Sequence, residues 1–356
     1  MANVTVDDEP RVLARTRGGI GHLTLNRPRA INALDLGMVR DVIAALDAWE
    51  TDPEVDLVLL DGAGERGLCA GGDVRGLAEL IRAGRPEETS VFFRAEYAMN
   101  ARIAEYPKPI VAIADGITMG GGIGLAGHAA IRVVTERSRL AMPETRIGLT
   151  PDVGGSLLLA RAPGRLGEYL ALTGAVMDAA DAVYAGFADH LVPSEHLEAL
   201  RDALETRADP SSPTELVLLF DESPEPSALE AARSWIDDAF SADTVAEIVE
   251  RLKARDEPEA HGAAETLAEL SPTSLTVTLA AVRAARGLSG LRAALEQEYG
   301  LVMWFASTQP DLVEGIRAQL IDKDRSPAWQ PASIADVEQD AAQRALRHVP
   351  ETPLWG

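Results

Sequence analysis

KPIVAIADGITMGGGIGLAG, residues 108–127, joins an apolar run to a glycine cluster. Lys108 and Pro109 mark the entry, and residues 110–114 read as a strand. Residues 116–127 follow as a turn whose glycines leave backbone N–H groups bare. Further strands are expected at 19–25, 57–60 and 131–135. Between the first two, NRPRAINAL (26–34) is a connection into Leu36, Val39, Ile43, Leu46 and Trp49, which recur at helical spacing. Short strands alternating with glycine loops and helices predict an α/β core.

The pattern changes near residue 205. Pro210, Pro213, Pro224 and Pro226 lie among serines and acids, which predicts a connection over 206–230 between a core of residues 1–205 and a helical region of 231–356. Within that region helices are expected at 231–254, 260–270, 274–286, 290–305 and 312–320. No strand pattern returns there.

At 356 residues the chain has ample core for one large or two modest domains. A formal charge of −23 and a pI near 4.6 exclude the basic footprint that nucleic acid requires. Cys69 is the one cysteine, so a disulfide framework and a thiolate metal cluster are both excluded. The six histidines show no ligand spacing, and no metal is expected. No apolar run is long enough to span a bilayer. The opening MANVTVDDEP has the layout of neither a secretory signal nor a transit peptide, and the expected location is cytoplasmic.

The candidate chemistry lies in AMPETRIGLTPDVGG (141–155). Glu144 and Asp152 stand eight positions apart, each after a proline that presets its backbone. With the glycine turns CAGGD (69–73) and GITMGGGIGLAG, they supply what is needed to hold an oxyanion and move protons beside it. The plainer reading of CAGGD is a tight turn with Asp73 capping the next helix. Gly122, Gly124 and Gly127 formally match a dinucleotide fingerprint. Six residues separate Asp115 from Gly122, however, and Glu144 lies in a turn rather than at a strand end, so the match lacks its context. Cys69 reads as a small core residue, and Glu96 from spacing alone as a solvated helix residue.

NRPRAINAL, CAGGD, GITMGGGIGL and MPETRIGLTPDVGG together resemble the crotonase (enoyl-CoA hydratase/isomerase) superfamily. SPTSL at 271–275 and EGIRAQLIDKDRSPAWQP near the end extend the resemblance to its longer thioester-hydrolase branch. The resemblance implies a spiral of ββα turns followed by a helical C-terminal region. It implies an acyl-CoA substrate, 3-hydroxyisobutyryl-CoA, with coenzyme A as part of the substrate and no separate cofactor, and a place in valine breakdown. It also implies an oxyanion hole from the amides of Gly72 and Gly121, with Glu144 and Asp152 as the catalytic carboxylates. Glu96 would touch the acyl group, and Arg29 and Ala70 would lie along the coenzyme A path. Glu144 would act on water or attack the carbonyl to give an anhydride. Similar hydratases carry a glutamate where this chain has Gly124, which breaks their carboxylate pair. The alternatives are a hydratase or isomerase using Glu144 with Asp152, and a non-catalytic acyl-CoA-binding protein. A homo-oligomer fits the resemblance; nucleic-acid and membrane partners are not expected.

Overall fold

The computed structural model describes residues 9–207 and 212–355; residues 1–8 of the opening segment and 208–211 of the expected connection lie outside the described residues. Among the described residues eight strands run in chain order as β1 (Val12–Arg17), β2 (Ile20–Leu25), β3 (Leu57–Gly62), β4 (Ile110–Ala114), β5 (Ile117–Met119), β6 (Ile131–Val134), β7 (Arg139–Ala141) and β8 (His190–Leu191). The main sheet has the order β1-β2-β3-β4-β6-β8, antiparallel between β1 and β2 and parallel elsewhere. Parallel strands with both faces covered read as continuous apolar runs, and LVLL of β3 and IVAIA of β4 are buried throughout.

The second layer explains the spiral. Strands β5 and β7 pair, and single bridges join Leu34 to Gly72, Cys69 to Thr118 and Leu140 to Met177. Successive turns of chain thus lay one strand in the main sheet and one short segment in this second layer. The CAGGD and GITMGGG turns become neighbours by that route.

Helix Leu36–Glu50 is capped by Asp35, whose carboxylate accepts from Met38 N at 2.9 Å. It buries Met38, Val39, Val42, Ala45, Leu46 and Trp49 on the sheet. The opposite face holds Ile20, Leu57, Leu59, Val111, Ile113, Ile131 and Val133 against Leu197, Leu200, Leu204 and Val217. Val217 belongs to a short helix, Pro213–Leu218, within the proline-rich stretch.

The expected helix at 231–254 is two helices, Ala228–Phe240 and Val245–Lys253. Thr244 starts the second with a capping box: its hydroxyl accepts from Glu247 N while the Glu247 carboxylate takes the Thr244 amide. Helix Pro272–Ala285 grips the site segment from below. Ser274 Oγ donates to Leu149 O, and Thr278 donates to Thr150 Oγ1 at 3.0 Å. Among the described residues no helix is long and apolar enough to cross a membrane.

Candidate active site

Strand β7 delivers Pro143 and a 3-10 turn, Glu144–Ile147, whose first residue is buried. Leu149 N donates to Glu144 O at 3.0 Å, and Thr145 Oγ1 donates to Leu172 O at 3.2 Å, so the turn is fixed from both sides. Glu144 Oε1 lies 3.0 Å from where a Cβ on Gly120 would stand. Its Oε2 is buried and has no hydrogen-bond partner among the described residues.

Glu96 projects from helix Ser90–Ala104 to the next glycine. Its Oε1, also buried and unpartnered, is 2.5 Å from the Cβ position of Gly121, an approach that only glycine allows. Gly72 N is 3.3 Å from the same point, so the two glycine turns meet beside two carboxyls. Among the described residues neither the Gly72 nor the Gly121 amide has an acceptor. Gly121 opens helix Gly121–Ala126, where the first N–H groups lack intrahelical partners. Asp152 completes the group and accepts a hydrogen bond from Tyr97 Oη at 2.7 Å.

These residues surround a cavity of about 150 Å³, lined by Ala70, Gly72, Glu96, Gly121, Glu144 and Asp152. Its apolar wall comes from Val74, Phe92, Phe93, Ile147, Leu149 and Leu320. Six of the seven sequence-derived site residues therefore converge. Arg29 does not: it is exposed, in a separate surface depression with Arg11, Asn26 and Arg27. Its turn still abuts the cavity, since Ala70 N donates to Ile31 O at 2.9 Å. Asp73 does not cap a helix but pairs with Arg27 at 2.9 Å. The fingerprint glycines are buried packing positions. A Cβ on Gly122 would stand 2.5 Å from Cys69 O, and one on Gly127 would stand 2.8 Å from Leu158. Cys69 itself is buried, and burial pushes its thiol up to about 12.

The electrostatics are those of carboxyls deprived of water. Burial, then the charge of Asp152, raises both Glu144 and Glu96 well above the usual glutamate range. Asp152 is pushed up to about 6 by burial, against the pull of the Tyr97 hydroxyl. Glu298, a fourth buried carboxyl, is raised to about 8 by burial despite accepting from Gly154 N and Ser156 N. The sequence reading missed Glu298, although it interrupts the apolar stripe of Leu295, Tyr299 and Val302 at helical spacing. Tyr97 and Phe92, on the same helix as Glu96, carry no signal in the sequence that marks them for the site.

A carboxyl whose folded pKa is raised binds more protons folded than unfolded between its two values, so stability falls as pH rises through that window. Burial holds the His128 ring down at about 4, which works in the opposite direction, but only below the unfolded histidine value near 6.5. Between pH 6.5 and about 8, the folded value of Glu298, the carboxyls are left to dominate, and the melting midpoint is expected to drop over that range. Glu144→Gln, which removes one of the raised carboxyls, should flatten the slope. Denaturant melts at three pH values test this; parallel slopes for the two proteins would refute it.

The enoyl-CoA hydratase/isomerase family profile matches residues 20–346. The mitochondrial 3-hydroxyisobutyryl-CoA hydrolase of Danio rerio is 43% identical over 351 residues, covering 96% of this chain and 91% of that protein. The Homo sapiens enzyme of the same name is 40% identical, with 94% and 88% covered. Among solved structures, a carnitinyl-CoA dehydratase from Mycobacterium thermoresistibile superposes with a TM-score of 0.92 at 46% identity, covering 97% of this chain and 98% of that one. An enoyl-CoA hydratase from Rhodobacter sphaeroides 2.4.1 gives 0.89 at 44% identity, covering 96% and 98%.

Proposed function

The chain belongs to the enoyl-CoA hydratase/isomerase family, and from that membership we propose that it is an acyl-CoA thioester hydrolase acting on 3-hydroxyisobutyryl-CoA. The two solved structures named above carry names of water-removing and water-adding enzymes, so the site has to distinguish the reactions. The observation that carries it is at Gly124. The hydratases that this chain resembles carry a second glutamate at that position. A Cβ at that position would stand 2.6 Å from Asn100 Nδ2 and 2.8 Å from Val153 Cβ. The space is filled, and Asp152, held by Tyr97, is the carboxyl that accompanies Glu144.

The reaction then follows from the groups available. The thioester oxygen lies between the Gly72 and Gly121 amides, which favour the negative charge that develops on it. Glu144 is a stronger proton acceptor for being raised, and it takes the proton of water as the oxygen adds to the carbonyl carbon. Alternatively it adds itself, giving an anhydride that water opens. Both routes place their oxyanion between the same two amides. The carbon–sulfur bond breaks, the sulfur leaves as the coenzyme A thiol, and Asp152 relays the proton. Glu96 takes the acyl hydroxyl. The acyl group has roughly six non-hydrogen atoms, the size of benzene, which a cavity of about 150 Å³ holds.

Thiol release from 3-hydroxyisobutyryl-CoA, followed with a colorimetric thiol reagent beside a panel of acyl- and enoyl-CoAs, tests the reading. Release is expected with the hydroxyacyl thioester. Loss of enoyl absorbance without thiol release would make the protein a hydratase instead.

A further inference from the structure

We infer that Glu298, on helix Leu291–Thr308, is a positioning residue for Asp152, acting through the turn that follows it. The inference rests on the role given to Asp152 above, but its structural half stands independently.

The turn is held in a conformation its sequence does not favour. Val153 has φ 54, a left-handed backbone that β-branched residues rarely adopt, and Gly154 follows at φ 80. A run of two such residues needs outside support. It has that support on both sides. Glu298 Oε2 accepts from Gly154 N at 2.6 Å, and Oε1 accepts from Ser156 N at 2.9 Å. From the other side His128 lies 2.8 Å from Val153 O through Nε2; a carbonyl only accepts, so Nε2 carries the proton. Gly155 N closes back onto Asp152 O at 2.7 Å.

The same helix adds a steric stop. A Cβ on Gly154 would strike both His128 Nε2 and Leu291 Cδ1, and Leu291 and Glu298 lie two helical turns apart on one face. A fully buried carboxyl is costly, and an apolar residue would pack as well among Leu295, Tyr299 and Val302. A carboxyl group sets one oxygen against each of two backbone N–H groups at that spacing. Glutamine keeps the volume but presents an N–H₂ group to one of them.

Two variants and two readouts test the clamp on the full chain. Glu298→Gln removes one acceptor, and His128→Ala frees Val153 O without touching a carboxyl. Hydrogen exchange of the amides at 152–157 is expected to quicken about tenfold or more in each. In thiol release, kcat should fall roughly ten- to hundredfold while KM stays within about threefold, as for a reacting group displaced by about an ångström. Unchanged exchange in this segment overturns the inference. So does an unchanged kcat in both variants, or a loss confined to KM. If the wild-type chain releases no thiol from any thioester, the hydrolase reading fails, and the exchange measurement alone decides the clamp.

Discussion

Glu144→Gln is expected to lower thiol release from 3-hydroxyisobutyryl-CoA by about a thousandfold or more while the chain stays folded. The amide keeps the shape of the side chain, so the cavity beside Gly120 is unchanged. It has no basic oxygen, so it neither takes a proton from water nor attacks a carbonyl. General-base catalysis is worth roughly 10²–10⁴ in rate, and loss of a nucleophile costs at least as much. The same substitution relieves a buried carboxyl whose charged form lacks water and a hydrogen-bond partner for Oε2. The variant should therefore melt higher than wild type above neutral pH. Lost activity with raised stability is the signature of a functional group placed against its own solvation. Lost activity with lowered stability would mean that Glu144 is structural.

Gly121→Ala should cost about a hundred- to thousandfold, and almost all of it in kcat. The added methyl would meet Glu96 Oε1 at 2.5 Å and crowd Gly72 N at 3.3 Å, where the two amides converge. The substitution keeps the backbone N–H but shifts it off the developing charge, and putting one donor of a preformed oxyanion hole out of use has effects of this size, because the donor acts where charge develops rather than on the bound ester. Coenzyme A, the thiol product, has no oxyanion, and its affinity is expected to change by no more than about threefold. A rise in KM with kcat preserved would assign Gly121 to packing.

Much of the architecture was legible because burial leaves its mark on composition. The strand Ile110–Ala114 and the stripe from Leu36 to Trp49 lie where apolar runs and helical periodicity put them. Strands β1, β5, β7 and β8 were not legible. VLARTR is mostly exposed on an edge, and β5, β7 and β8 are two or three residues long, too short for a period to show. The break at 241–244 turns on a capping box inside a continuous helical pattern. In the site, the glycine turns and the proline-flanked carboxyls announced themselves by unusual backbone chemistry. Glu96 needed family resemblance, since a glutamate on a helix is ordinarily solvated. Glu298 and His128 escaped because their partners are backbone groups far away in the chain.

The bond from Glu298 to Gly154 spans 144 residues. At a synthesis rate of about 5–20 residues per second, roughly 7–30 s separate the emergence of one end from that of the other. Over that interval the sheet can assemble from strands already made, while the turn bearing Asp152 has no carboxyl to hold its amides. The growing chain thus holds Asp152 unclamped until helix Leu291–Thr308 arrives. A chain that stops short of residue 298 is expected to lose at least the roughly ten- to hundredfold that Glu298→Gln loses.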